Sequence, residues 1–127
     1  MSPVLLIGID PQLIDFSSPE FAAFPGISAE TIQAGYDQAV LTLKQHDIEG
    51  VICWVDFGDT AAAVVRAKLK ERTFDGALIG AGIRVPATNL LLFEQLVNEI
   101  HISAPQAKLM FNSSPVDTVE TVLRSKN

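Results

Sequence analysis

Apolar residues in this chain come in two alternating patterns, and that alternation narrows the fold more than any other feature. Runs at residues 4–9, 51–55, 77–79 and 108–111 are largely apolar, as strands covered on both faces must be. Each is followed by a stretch in which apolar residues recur every third or fourth position, the spacing of one helical face. Strand-then-helix repetition predicts an α/β fold, a parallel sheet between two layers of helices. Parallel crossovers are right-handed, which leaves few strand orders; the one expected is a three-layer, doubly wound, four-stranded sheet in the order 2-1-3-4.

The helices carry start signals. Ser28 as N-cap, with Glu30 in the first turn, opens a helix that turns Ile32, Tyr36, Ala39, Val40 and Leu43 inward and stops before Gly50. A second follows Gly58 and Asp59, the latter read as its N-cap, with Ala61, Val64, Val65 and Leu69 inward. Its Arg66, Lys68, Lys70, Glu71 and Arg72 form a solvated stretch. A third begins near Thr88 or Asn89, burying Leu92, Phe93, Leu96, Val97 and Ile100 and leaving Glu94, Gln95, Asn98 and Glu99 outside. Ser114-Pro115-Val116-Asp117 reads as a capping box with proline at the first helical position, and Val119, Val122 and Leu123 lie inward after it.

With 127 residues, 48% of them hydrophobic, the chain is expected to form one compact unit over residues 1–127. Its formal charge of −6 works against any partner held by phosphate neutralisation, so no nucleic acid is expected. No apolar run approaches the roughly 18–20 residues of a membrane span, and Met1-Ser2-Pro3 does not begin a signal peptide. A cytoplasmic protein without membrane contact is therefore expected. A single cysteine, Cys53, agrees with a reducing compartment.

One loop is too long. Connections in α/β proteins take roughly two to six residues, yet residues 10–27 separate the first strand from the first helix. This segment holds Pro11, Pro19 and Pro25, Leu13 and Ile14, and three of the seven phenylalanines, Phe16, Phe21 and Phe24. Aromatic groups left in water forfeit about 1.5–3 kcal/mol each. The loop is thus expected to pack as a flap over the sheet edge, as a subunit contact, or as a lid over a ligand.

In open parallel sheets ligands bind outside the carboxyl ends of the strands, near the point where strand order reverses. Those ends supply the candidate ligand-binding residues Asp10, Asp56, Gly80, Gly82, Arg84, Asn112 and Ser113, with Gly58, Asp59 and Ser114 beside them. Arg84 is the one basic residue expected in a loop on that edge. A guanidinium there clamps a carboxylate or phosphate through paired N–H donors, or it pairs with Asp10, Asp56 or Asp59. Gly80 and Gly82 would let backbone amides approach an anion. The segment lacks the third glycine of a dinucleotide fingerprint and the Gly-Lys-Ser/Thr of a P-loop, so no cofactor is expected. Asp10 and Asp56 could share Mg²⁺ through waters, but no spacing motif requires it and no metal is expected. His46 and His101 close helices, which places them on the opposite edge from Ser113 and excludes a Ser–His pair. Cys53, between Ile52 and Trp54, reads as a small buried hydrophobe.

Four blocks of residues carry a resemblance along most of the chain. They are Leu5-Leu6-Ile7-Gly8-Ile9-Asp10-Pro11, Val55-Asp56-Phe57-Gly58-Asp59-Thr60-Ala61, Asp75-Gly76-Ala77-Leu78-Ile79-Gly80-Ala81-Gly82-Ile83-Arg84 and Phe111-Asn112-Ser113-Ser114-Pro115-Val116-Asp117-Thr118. Together they resemble a small family of single-domain bacterial and fungal proteins of unknown function, with a flavodoxin-like (Rossmann-like) layout missing its last unit. The resemblance implies a common site without naming its chemistry. The opening Leu6-Ile7-Gly8-Ile9-Asp10-Pro11-Gln12 is also similar to the start of isochorismatase-like cysteine hydrolases, which use an Asp-Lys-Cys triad. Here no lysine is expected on the ligand edge and Cys53 lies within a strand. Receiver domains have a similar layout, but Gly80-Ala81-Gly82 stands where their phospho-acceptor aspartate would be.

The expectation is a small α/β protein that takes a small anionic ligand at the carboxyl edge of its sheet. The alternative is a non-catalytic interaction or oligomerisation module, a homodimer for instance, that uses the aromatic loop 10–27. Neither reading decides whether the chain is an enzyme.

Overall fold

The computed structural model describes residues 2–126; Met1 and Asn127, the ends of the expected 1–127 unit, lie outside them. Four strands, β1 (Ser2–Ile9), β2 (Ile48–Val55), β3 (Gly76–Ile79) and β4 (Lys108–Phe111), form one all-parallel sheet in the order β2-β1-β3-β4. This is the doubly wound order expected from the alternation. The pairing is uneven: β1 and β2 align over eight residues, from Ser2 with Ile48 to Ile9 with Val55, whereas β3 and β4 align over four.

Five helices cover the sheet: α1 (Ala29–Gln45), α2 (Ala61–Glu71), the short α3 (Ala81–Arg84), α4 (Leu90–Ser103) and α5 (Thr118–Ser125). Successive strand residues point to opposite faces, so β1 serves both layers. Leu5, Ile7 and Ile9 pack with Val65 and Leu69 of α2 and with Leu92, Leu96 and Ile100 of α4. Val4 and Leu6 pack with Leu43 of α1 and Val122 of α5. Each such side chain, fully buried, contributes about 1.5–3 kcal/mol.

Local signals explain most of the element ends. Ser28 Oγ accepts from Thr31 N at 3.2 Å while Thr31 Oγ1 accepts from Ser28 N at 2.8 Å, a closed capping box at the start of α1. Asp59 is not the cap of α2. That position belongs to Thr60, whose amide and hydroxyl both donate to Asp56, so the strand-end carboxylate caps from outside. The turn between them runs through Gly58 at φ 138°, a backbone conformation that side chains resist.

Two further expectations are corrected. Glu99 is buried rather than outside: Arg66 Nε and Nη2 grip it at 3.2 and 2.8 Å, and this two-pronged ion pair ties α2 to α4. Residues 81–84 form a helical turn rather than an open loop, because Gly80 O accepts from the Ile83 and Arg84 amides.

The long loop is a string of tight turns, including two short 3-10 turns at Pro11–Leu13 and Pro19–Phe21. Pro11 is buried and Ile14 packs on the α2–α4 side of the core. Phe16 and Phe21 pack on one another with ring centroids 5.2 Å apart, while Leu13 and Phe24 stay exposed. Among the described residues no helix is long and apolar enough to cross a membrane.

Candidate functional site at the carboxyl rim

Parallel strands with returning helices place Asp10, Asp56, Gly80 and Asn112 together on one rim. His46, the C-cap of α1, and His101, in the last turn of α4, lie on the opposite edge. Ser113 instead donates its hydroxyl to Asp117 Oδ2 at 2.6 Å.

Asn112 fastens this end of the sheet. It is 2% exposed; its Oδ1 accepts from Ala81 N at 2.8 Å and its Nδ2 donates to Thr118 Oγ1 at 3.1 Å. Its carbonyl accepts from Arg84 Nη2 at 2.8 Å. Asn89 Nδ2 donates in turn to Gly82 O at 3.1 Å, folding the entry to α4 back onto α3. These bonds change the roles expected of two groups. The amide after Gly80 belongs to Asn112 and the amide after Gly82, that of Ile83, belongs to Gly80 O, so neither is open to an anion. The Asn112 side chain is a latch between β4, α3 and α5.

Arg84 is half-buried beside that latch. The ion pairs among the described residues are Arg66–Glu99, Lys68–Glu71 and Arg72–Glu49, and Arg84 takes part in none. The alternative pairing with Asp10, Asp56 or Asp59 is therefore not formed. Its Nη2 holds the Asn112 carbonyl, and its Nε is buried without a partner, a state that costs about 1–3 kcal/mol in a folded protein.

The rim acids are committed locally. Asp10 accepts from Gln12 N at 2.9 Å. The Thr60 hydroxyl, followed by the Gly58 amide, holds the Asp56 carboxyl below the usual range, and the Ser113 hydroxyl does the same for Asp117. Among the described residues no group of three or more His, Cys, Asp or Glu side chains is placed to hold a metal ion.

Tyr36, read from the sequence as an ordinary inward helix position, does more. Its ring meets Trp54 edge-on at 4.6 Å, and its hydroxyl reaches the β1–β3 junction, where the strand order reverses. A Cβ at Gly8 would lie 2.5 Å from that oxygen, and one at Gly80 2.9 Å. Burial pushes the phenol up to about 12. Beside it a cavity of about 100 Å³ is lined by Ile27, Thr31, Ile32, Gly35, Tyr36 and Thr118. The only trace of this in the sequence is a glycine at the end of each of two strands. Cys53 is buried, and burial pushes its thiol up to about 11, which leaves it unreactive.

Every connection leaving a strand end also exposes a large apolar side chain: Leu13 and Phe24 after β1, Phe57 after β2, Val85 and Leu90 after β3, and Val116 after β4. The rim thus combines the Arg84 guanidinium, without an ion pair among the described residues, several locally bonded acids and an apolar fringe. Comparison with known proteins finds no family model, no curated protein and no solved structure that matches the chain.

Proposed function

We propose that the protein binds a small anionic ligand at the carboxyl rim of its sheet, with Arg84 as the charged contact. The observation that carries this reading is the state of Arg84: a guanidinium with no carboxylate partner and a buried, unbonded Nε, in a chain of net charge −6. Gly82, exposed and with open space where a Cβ would be, and Ser113 are the neighbouring contacts; Asp10, Asp56, Gly80 and Asn112 shape the rim around them. A ligand oxygen would accept from the terminal nitrogens of the half-buried Arg84 side chain, Nε itself lying out of solvent's reach.

The test compares thermal unfolding of the wild type with that of Arg84→Gln and Arg84→Lys, in inorganic phosphate and in acetate. At ten times Kd a bound ligand stabilises by about 1.4 kcal/mol, a rise of a few degrees in Tm. The rise is expected in the wild type, reduced in Arg84→Lys and gone in Arg84→Gln. Equal shifts in all three proteins would remove Arg84 from the site.

A second reading is favoured by the exposure of Leu13 and Phe24 on the long loop. In it that loop docks a second copy of the chain, and the protein is a cytoplasmic homo-oligomer without catalytic function. Shared membership with the single-domain family that the four sequence blocks resemble belongs with either reading, since it proposes a common rim and no chemistry.

A further inference from the structure

We infer that the anion taken at Arg84 carries a single charge and an apolar body, which makes the ligand class an aliphatic monocarboxylate. This rests on the reading of Arg84 given above and adds what surrounds it.

The connections that lead from Arg84 and from its partner Asn112 both expose aliphatic groups. Val85 follows it in the chain and is 62% exposed; Leu90 and Leu91, at 62% and 77%, open α4. The bond from Asn89 to Gly82 O brings that turn of α4 back against α3, which ends in Arg84. Across the rim the Asn112 carbonyl holds Arg84, and the turn Pro115–Asp117 just beyond it presents Val116 at 93% exposure. Scattered apolar side chains on a surface need no account, but four on the turns next to Arg84 and its Asn112 partner give this end of the rim two chemistries.

Charge sets the valence of the ligand. Of the other basic residues in the last turns of helices, Lys44 of α1 and Lys68 and Lys70 of α2 lie toward the opposite edge, while Arg124 of α5 reaches back and donates from Nη2 to Phe111 O, at the carboxyl end of β4, at 3.0 Å. The rim itself carries Asp10, Asp56, Asp59 and Asp117. A polyphosphate would meet two guanidiniums among four carboxylates, one of the two, Arg124, already bonded to Phe111 O, whereas a monocarboxylate needs only Arg84. An aliphatic tail on that carboxylate covers the flanking valines and leucines.

The experiment is calorimetric titration of the intact protein with inorganic phosphate, acetate, butyrate, hexanoate, octanoate below its micellar concentration, and uncharged hexanol. Kd is expected to fall about two- to fourfold per added methylene, and hexanol to bind at least tenfold more weakly than hexanoate. The double variant Leu91→Ser, Val116→Ser, altered at exposed positions only, is expected to bind acetate like the wild type while its affinity no longer rises with chain length. Arg84→Gln should weaken every carboxylate at least tenfold. Arg84-dependent binding of acetate or phosphate with no effect of chain length would overturn this inference and leave the anion site standing. Failure of every anion to bind would remove the site and the inference together. Hexanol binding as tightly as hexanoate, or a dimer in sedimentation that Leu91→Ser dissolves, would equally overturn the assignment.

Discussion

Gly8 and Gly80 bear no side chain at positions whose space Tyr36 already occupies. The hydroxyl of that tyrosine lies where a Cβ at Gly8 would need to be, and Trp54 Cζ3 closes the other side at 3.0 Å. Gly8→Ala should therefore overpack the junction of β1 and β3 and cost about 1–3 kcal/mol, read as a lowered denaturant midpoint; unchanged stability would show that Tyr36 moves aside freely. At this scale the sequence is uneven as a guide. Arg84 was legible, because a lone basic residue after a strand end has few places to go. Its partner was not, because the acceptor is the Asn112 main-chain carbonyl and every residue carries one. Tyr36 was rightly read as inward, but its reach to the β1–β3 junction was not legible, because helical spacing reports which face a residue lies on and not how far its side chain extends.

Between elements, the α2–α4 clamp joins Arg66 and Glu99, two residues expected on solvated faces. Arg66 is half exposed and Glu99 buried, so the pair gains more than a surface bridge but is partly screened. Glu99→Gln should cost about 1 kcal/mol at neutral pH in urea unfolding. Arg66 holds the Glu99 carboxyl below its usual range, so the folded protein binds its proton later than the unfolded chain does. The stabilisation is complete above the ordinary carboxyl pKa, about 4.3, and is lost as the pH falls through the depressed folded value. Asp56 and Asp117 shift in the same direction and add to the same acid limb. The variant should accordingly lose less stability than the wild type between pH 5 and pH 3; parallel pH profiles would show that the pair is idle. Strand existence and order were legible from the apolar alternation, and β4 from end to end. The starts of β1, β2 and β3 were not. Glu49 and Gly50 interrupt the apolar run of β2, while main-chain pairing with β1 carries the strand on to Ile48. The turn at residues 81–84 was hidden by Gly80 before it and Gly82 within it, which lower helical propensity without forbidding a single turn held at Gly80 O.

Across the molecule, the sheet has two open edges, β2 and β4, and its longest loop carries Phe24 outward. If that loop joins two copies, sedimentation at micromolar concentration should show a dimer in the wild type and a monomer in Phe24→Ser. This single change is preferable to removing Phe16 or Phe21, which hold each other and shape the loop. A monomer in both proteins would remove the oligomer reading. Why the loop exists was not legible, since proline and phenylalanine content shows that a segment packs and not against what. The uneven ladder has its own consequence. Eight paired residues bind β1 to β2 but only four bind β3 to β4, which makes the sheet lopsided in strength. Thermal breathing is then expected to start on the β4 flank, the flank whose Asn112 holds Arg84. A ligand settling on that guanidinium, as proposed, would quiet this flank, so that an event at one side chain would be felt as stiffness along a whole strand and the helix behind it.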